Sequence, residues 1–160
     1  MSETPDFEKI GNTAIGEELS INECKLLAKV MKVQHVTDGE RLVSESGTQN
    51  TLFVLIEGEL SVIGTKDEQE VVVYTMKPGE VAGTRAFVDR SPRKATLQAD
   101  GNATVYTLEP YDFESLLDDQ PRILYKVMRS LFRITHGNLL RMNQETEQLA
   151  NYISRARGRY

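Results

Sequence analysis

A mainly β fold is predicted: an antiparallel β-roll (a double-stranded β-helix or jelly roll) flanked by an N-terminal helix and a long C-terminal helix. Three observations predict it. Between Val33 and Leu108, short β-rich runs alternate with glycines. Before and after that stretch, the apolar residues recur at helical spacing. No segment of helix length separates the β runs, which argues for antiparallel pairing rather than a parallel, doubly wound sheet.

Met1 to about Ala14 is polar, with Pro5 and Gly11, and reads as a loose, flexible lead-in over residues 1–14. From Gly16 to Met31 the pattern is helical, with Leu19, Leu26, Leu27, Val30 and Met31 on one side. Ser20 followed by Glu23 fits a capping box, in which each side chain satisfies a free backbone N–H of the other. The β runs are Arg41–Ser44, Thr51–Glu57, Glu59–Ile63, Glu70–Met76, Lys94–Ala99 and Ala103–Leu108. Gly39, Gly47, Gly58, Gly64, Gly79, Gly83 and Gly101 punctuate them as turns. Phe113, Leu116 and Leu117 fit a short helix ending before Pro121. A long helix then runs from about Arg122 to Ile153, weakened only by Gly137, at roughly 1 kcal/mol relative to alanine. The expected organisation is a roll domain over residues 15–120 and a C-terminal helix with a basic tail over residues 121–160.

The chain has 160 residues, 39% of them hydrophobic, which is enough for a sizeable core. Its net charge of −5 argues against a general polyanion binder, although Arg155, Arg157 and Arg159 make the last ten residues basic. The single cysteine, Cys24, has no internal disulfide partner and lies near the apolar side of its helix, where it reads as a structural thiol in a reducing compartment. No apolar run reaches the length of a membrane span, so a cytoplasmic protein is expected. His35 and His136 are far apart and there is no cysteine cluster, so neither a metal site nor a cofactor is expected. No catalytic residues are assigned.

The strongest local signal runs from Lys77 to Thr96. A glycine-containing turn follows a strand and opens into a very short helix, and Arg93 then stands at the start of the next strand. A helix N-terminus attracts an anion, and a guanidinium opposite it adds directional contacts to phosphate oxygens. Gly83, lacking a Cβ, lets the backbone come close. An ordinary turn between strands accounts for the same residue types.

The order Pro78-Gly79-Glu80, then Gly83, then Pro92-Arg93-Lys94-Ala95-Thr96 resembles the phosphate-binding cassette of cyclic-nucleotide-binding domains. Upstream, Asp38-Gly39-Glu40-Arg41-Leu42-Val43, Gly47 and Leu52-Phe53-Val54-Leu55-Ile56-Glu57-Gly58-Glu59-Leu60 resemble that family's entry into its roll. The resemblance spans about Leu19 to Asn138. It implies that Arg93 holds a cyclic phosphate, that Gly83 is the cassette glycine, that Ala86 presents its backbone to the phosphate, and that Lys94, Ala95 and Thr96 open the next strand. Where the family uses glutamate for the ribose 2′-hydroxyl, this chain has Thr84. Arg85 replaces an aliphatic residue and Ala82 an aromatic one. Losing a charge-assisted hydrogen bond of roughly 1.5–3 kcal/mol weakens binding by about one to two orders of magnitude. If Arg85 faces inward, it adds a second cation; otherwise it points to solvent. A rival register places Gly79-Glu80-Val81-Ala82 at the cassette glycine, farther from Arg93 than the family spacing allows.

Leu124, Met128, Leu131, Thr135, Asn138, Met142, Glu145 and Leu149 repeat at alternating spacings of four and three, a coiled-coil-like seam. This predicts a homodimer through the C-terminal helix. The resemblance makes Thr135 and Asn138 candidates to reach a nucleotide base; an asparagine in a seam also serves simply to fix register. The family's transcription factors continue into a helix-turn-helix, and no recognition helix follows here, so sequence-specific DNA binding is not expected. The expected function is a stand-alone regulatory module that senses a cyclic nucleotide such as cAMP or cGMP and signals to an effector protein. Two alternatives remain: another anionic messenger such as a cyclic dinucleotide, or a non-binding dimerisation adaptor.

Overall fold

The computed structural model describes residues 3–157, with side chains through Arg155. Of the predicted basic tail, only the Arg155 side chain falls within the described residues; those of Arg157 and Arg159 lie outside them.

Part of the segment read as a loose lead-in over residues 1–14 is helical. Helix α1 spans Phe7–Gly11, and the Asp6 carboxylate accepts from Glu8 N at 2.9 Å. Its polar residues face solvent while Ile10 and, just beyond it, Ile15 are fully buried. The Tyr106 hydroxyl accepts from Asp6 N at 3.0 Å and ties this segment to the sheet. Helix α2 spans Ile21–Ala28 and has the predicted capping box: Ser20 Oγ accepts from Glu23 N at 3.1 Å, and Glu23 Oε1 accepts from Ser20 N at 2.9 Å. Cys24 is buried, and desolvation pushes its thiol up from the ordinary range, so it packs rather than reacts.

The strands are β1 (Lys32–Val36), β2 (Arg41–Val43), β3 (Leu52–Lys66), β4 (Gln69–Met76), β5 (Val81–Ala82) and β6 (Thr96–Leu108). All pairings are antiparallel. The order is β1-β6-β3-β4, with β2 on β6 and β5 on β3. Two pairs of predicted runs are single strands. Gly58, at φ 89°, sits within β3 where the register to β6 shifts, and a Cβ there would lie 2.5 Å from the Asn102 carbonyl oxygen. It therefore forms a bulge rather than a turn, and β6 likewise runs through Gly101.

Alternation along β3 divides the core. Leu52 and Val54 pack with Ile10, Leu27, Ile123 and Val127 on the helix side. Phe53, Leu55 and Leu60 pack inside the roll with Val43, Leu97 and Val105. Helix α3 (Thr84–Asp89) is anchored by Phe87, whose ring meets Phe113 of α4 (Pro110–Glu114) at a centroid distance of 5.4 Å.

Helix α5 spans Pro121–Arg157. Its first turns bury Ile123, Val127 and Leu131, and charge fixes the same stretch: Lys126 Nζ lies 2.6 Å from Glu23 Oε1, and Arg133 Nη2 2.7 Å from Glu18 Oε1. The predicted seam divides between core and surface. Leu131 is 1% exposed and belongs to the core, with Leu124 packed beside it. Its Met128, Met142 and Leu149 are exposed, in line with Tyr125, Phe132 and Leu139. The core takes only Leu124 and Leu131 of the predicted set.

Candidate functional site

Arg93 is the centre of the site. It follows α3 in the loop that leads into β6, and its backbone is gripped from both sides. Arg93 N donates to the Gly47 carbonyl at 3.0 Å, and the Arg93 carbonyl accepts from Ser46 N at 2.8 Å. Nearby, Thr96 Oγ1 accepts from Glu45 N at 2.9 Å. The loop between β2 and β3 is thus fastened to the start of β6.

The Arg93 side chain turns inward and is 5% exposed. Its guanidinium lies 5.5 Å from the Phe53 ring centroid. Nη2 donates to the Thr51 carbonyl at 2.7 Å, whereas Nε and Nη1 have no hydrogen-bond partner among the described residues. Burial pushes the Arg93 pKa down, and the field of Glu109 opposes that shift. Glu109 is itself engaged, accepting from Thr51 Oγ1 at 2.5 Å. An arginine stays charged under these conditions. A buried cation with two idle donors is an unfavourable arrangement that an anion would relieve.

Gly83 abuts this guanidinium. It caps α3 at φ 87°, and a Cβ there would collide with Arg93 Nη1 and lie 2.8 Å from the Thr51 carbonyl oxygen. Positive φ and close approach both require glycine. Phe87 N donates back to the Gly83 carbonyl at 2.9 Å, so the amides of Thr84, Arg85 and Ala86 form the open first turn of α3. These amides and the Arg93 guanidinium meet around Gly83. The rival register does not fit this arrangement. Gly79 lies in the turn before β5, where its N–H donates to the Leu55 carbonyl at 2.7 Å, and no helix starts there.

The other predicted residues are dispersed. Ala86 is buried on the inner face of α3, Thr96 opens β6 with Ala95 just before it, and Lys94 is exposed. The Arg85 side chain is exposed and lines a cavity of about 470 Å³ between α3 and α5, together with Thr84 and Thr135. Asn138 belongs to a separate cavity of about 500 Å³ at the mouth of the roll, with Val62, Tyr74, Met76 and Arg141. The contacts of the Arg93 side chain involve neither Thr135 nor Asn138. Thr51 and Phe53, which touch the guanidinium, line a third cavity of about 390 Å³.

Several site residues were not predicted. Thr51 and Glu109 surround Arg93 from positions 42 and 16 residues away along the chain, with no local motif to mark them. Tyr74 donates to Glu80 Oε1 at 2.7 Å, a bond that pushes its phenol pKa up, and the Arg141 guanidinium lies 5.9 Å from its ring centroid. This contact joins the distal part of α5 to β4. Among the described residues there is no cluster of metal-ligating side chains, and no helix is long and apolar enough to cross a membrane.

The family model for the cyclic nucleotide-binding domain matches residues 33–120, a stretch that includes Gly83, Arg93 and every strand from β2 to β6. A crystallised cyclic nucleotide-binding domain from Methylobacillus flagellatus superimposes with a TM-score of 0.81 at 19% identity, covering 87% of this chain and 81% of that one. Among curated sequences, Glutaminase 2 of Bradyrhizobium diazoefficiens is 28% identical over 89% of this chain, and a cAMP-dependent protein kinase regulatory subunit of Mycosarcoma maydis is 28% identical over 68%. The chain spans 22% of the length of each of these two relatives. The matched cassette, the antiparallel roll and the helices that flank it lead to one assignment: the chain belongs to the cyclic nucleotide-binding domain family.

Proposed function

We propose that this chain is a regulatory module that binds a cyclic nucleotide, cAMP or cGMP, through Arg93 and the open amides of α3, and that it signals through protein contacts rather than by catalysis. The observation that carries this reading is the buried Arg93 guanidinium, 5% exposed, with Nε and Nη1 unpartnered. A cyclic phosphate supplies acceptor oxygens and a negative charge at that point. Gly83 keeps the approach free of side-chain atoms. The relatives named for cAMP-dependent kinase regulation support the same ligand class. A cytoplasmic location and a homodimer formed through α5 belong to the same proposal.

Thr84 favours a second reading, in which the ligand is an anion other than a ribose 3′,5′-cyclic monophosphate. No carboxylate takes the place of the family's glutamate, and Thr84 lines the cavity toward α5. Arg85 lends little support to a cyclic dinucleotide, since its side chain is exposed on that same outer side.

Titration calorimetry with cAMP, cGMP and a cyclic dinucleotide tests both readings. Micromolar binding of a mononucleotide, weakened about a hundredfold or more in Arg93→Ala, is the expected result. Heat from the dinucleotide alone would select the second reading, and silence across the panel would overturn both.

A further inference from the structure

Glu109 stands where β6 ends and α4 begins, and its place follows from the register of the sheet. Leu52 pairs with Leu108, and Phe53 with Thr107. One further step along the same antiparallel register sets Thr51 against Glu109. Glu109 is also the N-cap residue of α4, a position from which a side chain ordinarily accepts from the first amides of its own helix. Among the described residues its carboxylate makes no such capping bond; it accepts instead from Thr51 Oγ1 at 2.5 Å. A hydrogen bond of that length to an ionised carboxylate is a strong one.

Thr51 passes this hold on to Arg93. Its hydroxyl is held by Glu109, while its carbonyl accepts from Arg93 Nη2 at 2.7 Å. Thr51 and Arg93 are both buried, so charges act there with little screening by salt. The guanidinium is fixed through Nη2, and Nε and Nη1 remain without a partner among the described residues. Carboxylate and guanidinium stand on either side of a single residue. The Glu109 charge reaches Arg93, where it opposes the loss of basicity that burial causes. The same charge repels an anion that arrives at Arg93, and it repels a dianion about twice as strongly as a monoanion.

We infer that Glu109, acting through Thr51, positions the Arg93 guanidinium for its anion and makes the site select a singly charged phosphodiester over a doubly charged phosphate monoester. This rests on the reading of Arg93 as the anion-binding residue. Glu109 is a positioning residue, since Thr51 stands between it and Arg93. Its two contributions act on affinity in opposite directions. Its hold on Thr51 strengthens binding, because a guanidinium ordered in advance loses less freedom when the ligand arrives. Its charge weakens binding, and does so more for the more highly charged ligand. Glutamine separates the two: its amide oxygen still accepts from the Thr51 hydroxyl, but the charge is gone.

Competition against a fluorescent cyclic nucleotide tests the inference on the full chain, with cAMP and 5′-AMP as competitors. At pH 8 a phosphate monoester, with a second pKa of about 6, is doubly charged. In Glu109→Gln, 5′-AMP should gain about threefold or more on cAMP relative to the wild type. Displacement by 5′-AMP that stays as weak relative to cAMP as in the wild type overturns the selectivity. Thr51→Val removes the hydroxyl and keeps the carbonyl; it should weaken cAMP binding by about fivefold, and Thr51→Ser should recover most of that loss. If Thr51→Val binds cAMP as the wild type does, Arg93 is positioned without Glu109 and the inference fails. Urea unfolding of the ligand-free chain separates this failure from that of the nucleotide reading. Glu109→Gln should lower the urea midpoint more in the wild-type background than in Arg93→Met, where no guanidinium remains for it to balance. Equal losses in the two backgrounds mean that Glu109 does not act on Arg93, and overturn the inference whatever binds. A chain that shows the difference and yet binds no cyclic nucleotide overturns the nucleotide reading, and the selectivity with it, while the action of Glu109 on Arg93 stands.

Discussion

The cassette and the distal half of α5 break the rules of burial in opposite directions. At Arg93 a charge is buried with two donors that have no hydrogen-bond partner among the described residues. From Leu139 to Ile153, large apolar side chains stand in solvent with nothing to cover them; Leu139 is 53% exposed and Leu149 60%. A polar group without a partner inside and an apolar stripe without a partner outside are both incomplete contacts. The first calls for a small anion and the second for another helix. The core between them is conventional: Ile10, Leu27, Leu55, Leu60, Val105 and Ile123 are all fully buried.

Two leucines on α5 test this contrast with the largest expected effect. Leu131, 1% exposed, belongs to the core shared with Ile123 and Val127, so Leu131→Ala should destabilise the monomer by about 2–5 kcal/mol in urea unfolding at high dilution. Leu139→Ala should change the same quantity by less than about 0.5 kcal/mol. In a dimer dissociation assay the order should reverse. If both substitutions lower monomer stability alike, the distal stripe is core and the contrast disappears.

Gly83→Ala comes next. The substitution forces a left-handed conformation on a residue with a Cβ, at a strain of about 1–3 kcal/mol. It also drives the new carbon against the Thr51 carbonyl oxygen and the Arg93 guanidinium. A lower melting temperature together with weakened nucleotide binding is the expected outcome. Gly39, at φ 80°, has open space around it. Gly39→Ala should therefore lower stability through backbone strain and leave binding alone, which separates strain from site disruption.

Arg93→Met sharpens the reading of the buried charge. Replacing an unpaired buried cation by an apolar side chain of similar length should leave stability unchanged or raise it by about 1–2 kcal/mol, while nucleotide binding is lost. A large loss of stability in chemical denaturation would mean instead that Arg93 is a structural strut through its bond to the Thr51 carbonyl.

Local features were legible in the sequence. The Ser20–Glu23 capping box forms as predicted because both partners lie within one helical turn, and Pro110 and Pro121 stand at helix starts where a missing N–H does no harm. Gly83 and Arg93 were legible through their order with Pro92 and Ala95. Features decided by distant contacts were not. Gly58 and Gly79 both have positive φ, but one makes a bulge inside β3 and the other a turn, according to which strand pairs alongside. β1 (Lys-Val-Gln-His-Val) was passed over because Val36 is its one fully buried residue. In the α5 seam, Met128, Met142 and Leu149 are exposed as a seam requires, whereas Leu124 and Leu131 turn to the core; Tyr125 and Phe132 have the same spacing as these two, and only the position of the roll tells them apart. Thr51, Phe53 and Glu109 enter the Arg93 site through the antiparallel register of β3 and β6, which no local motif encodes.

Ser130 makes the smallest and most discriminating prediction. Its hydroxyl on α5 is buried and has no partner, the same signature that marks Arg93. If an unpartnered buried polar atom always signalled a ligand, Ser130 would belong to a site. Its place in the chain argues otherwise: Val127, Leu131 and Ile134, one turn before, next to and one turn after it on α5, all belong to the helix-side core. A neutral hydroxyl in such a place is a modest defect, whereas a guanidinium carries a full charge that burial alone makes far less favourable. Ser130→Ala removes the defect and installs the best helix former, so unfolding should become less favourable by about 0.5–1 kcal/mol. Nucleotide binding, measured by the same calorimetry, should be unchanged. If Ser130→Ala weakened binding, the hydroxyl would be coupled to the site, and the core side of α5 would have to be treated as part of the ligand-responsive machinery rather than as its fixed support.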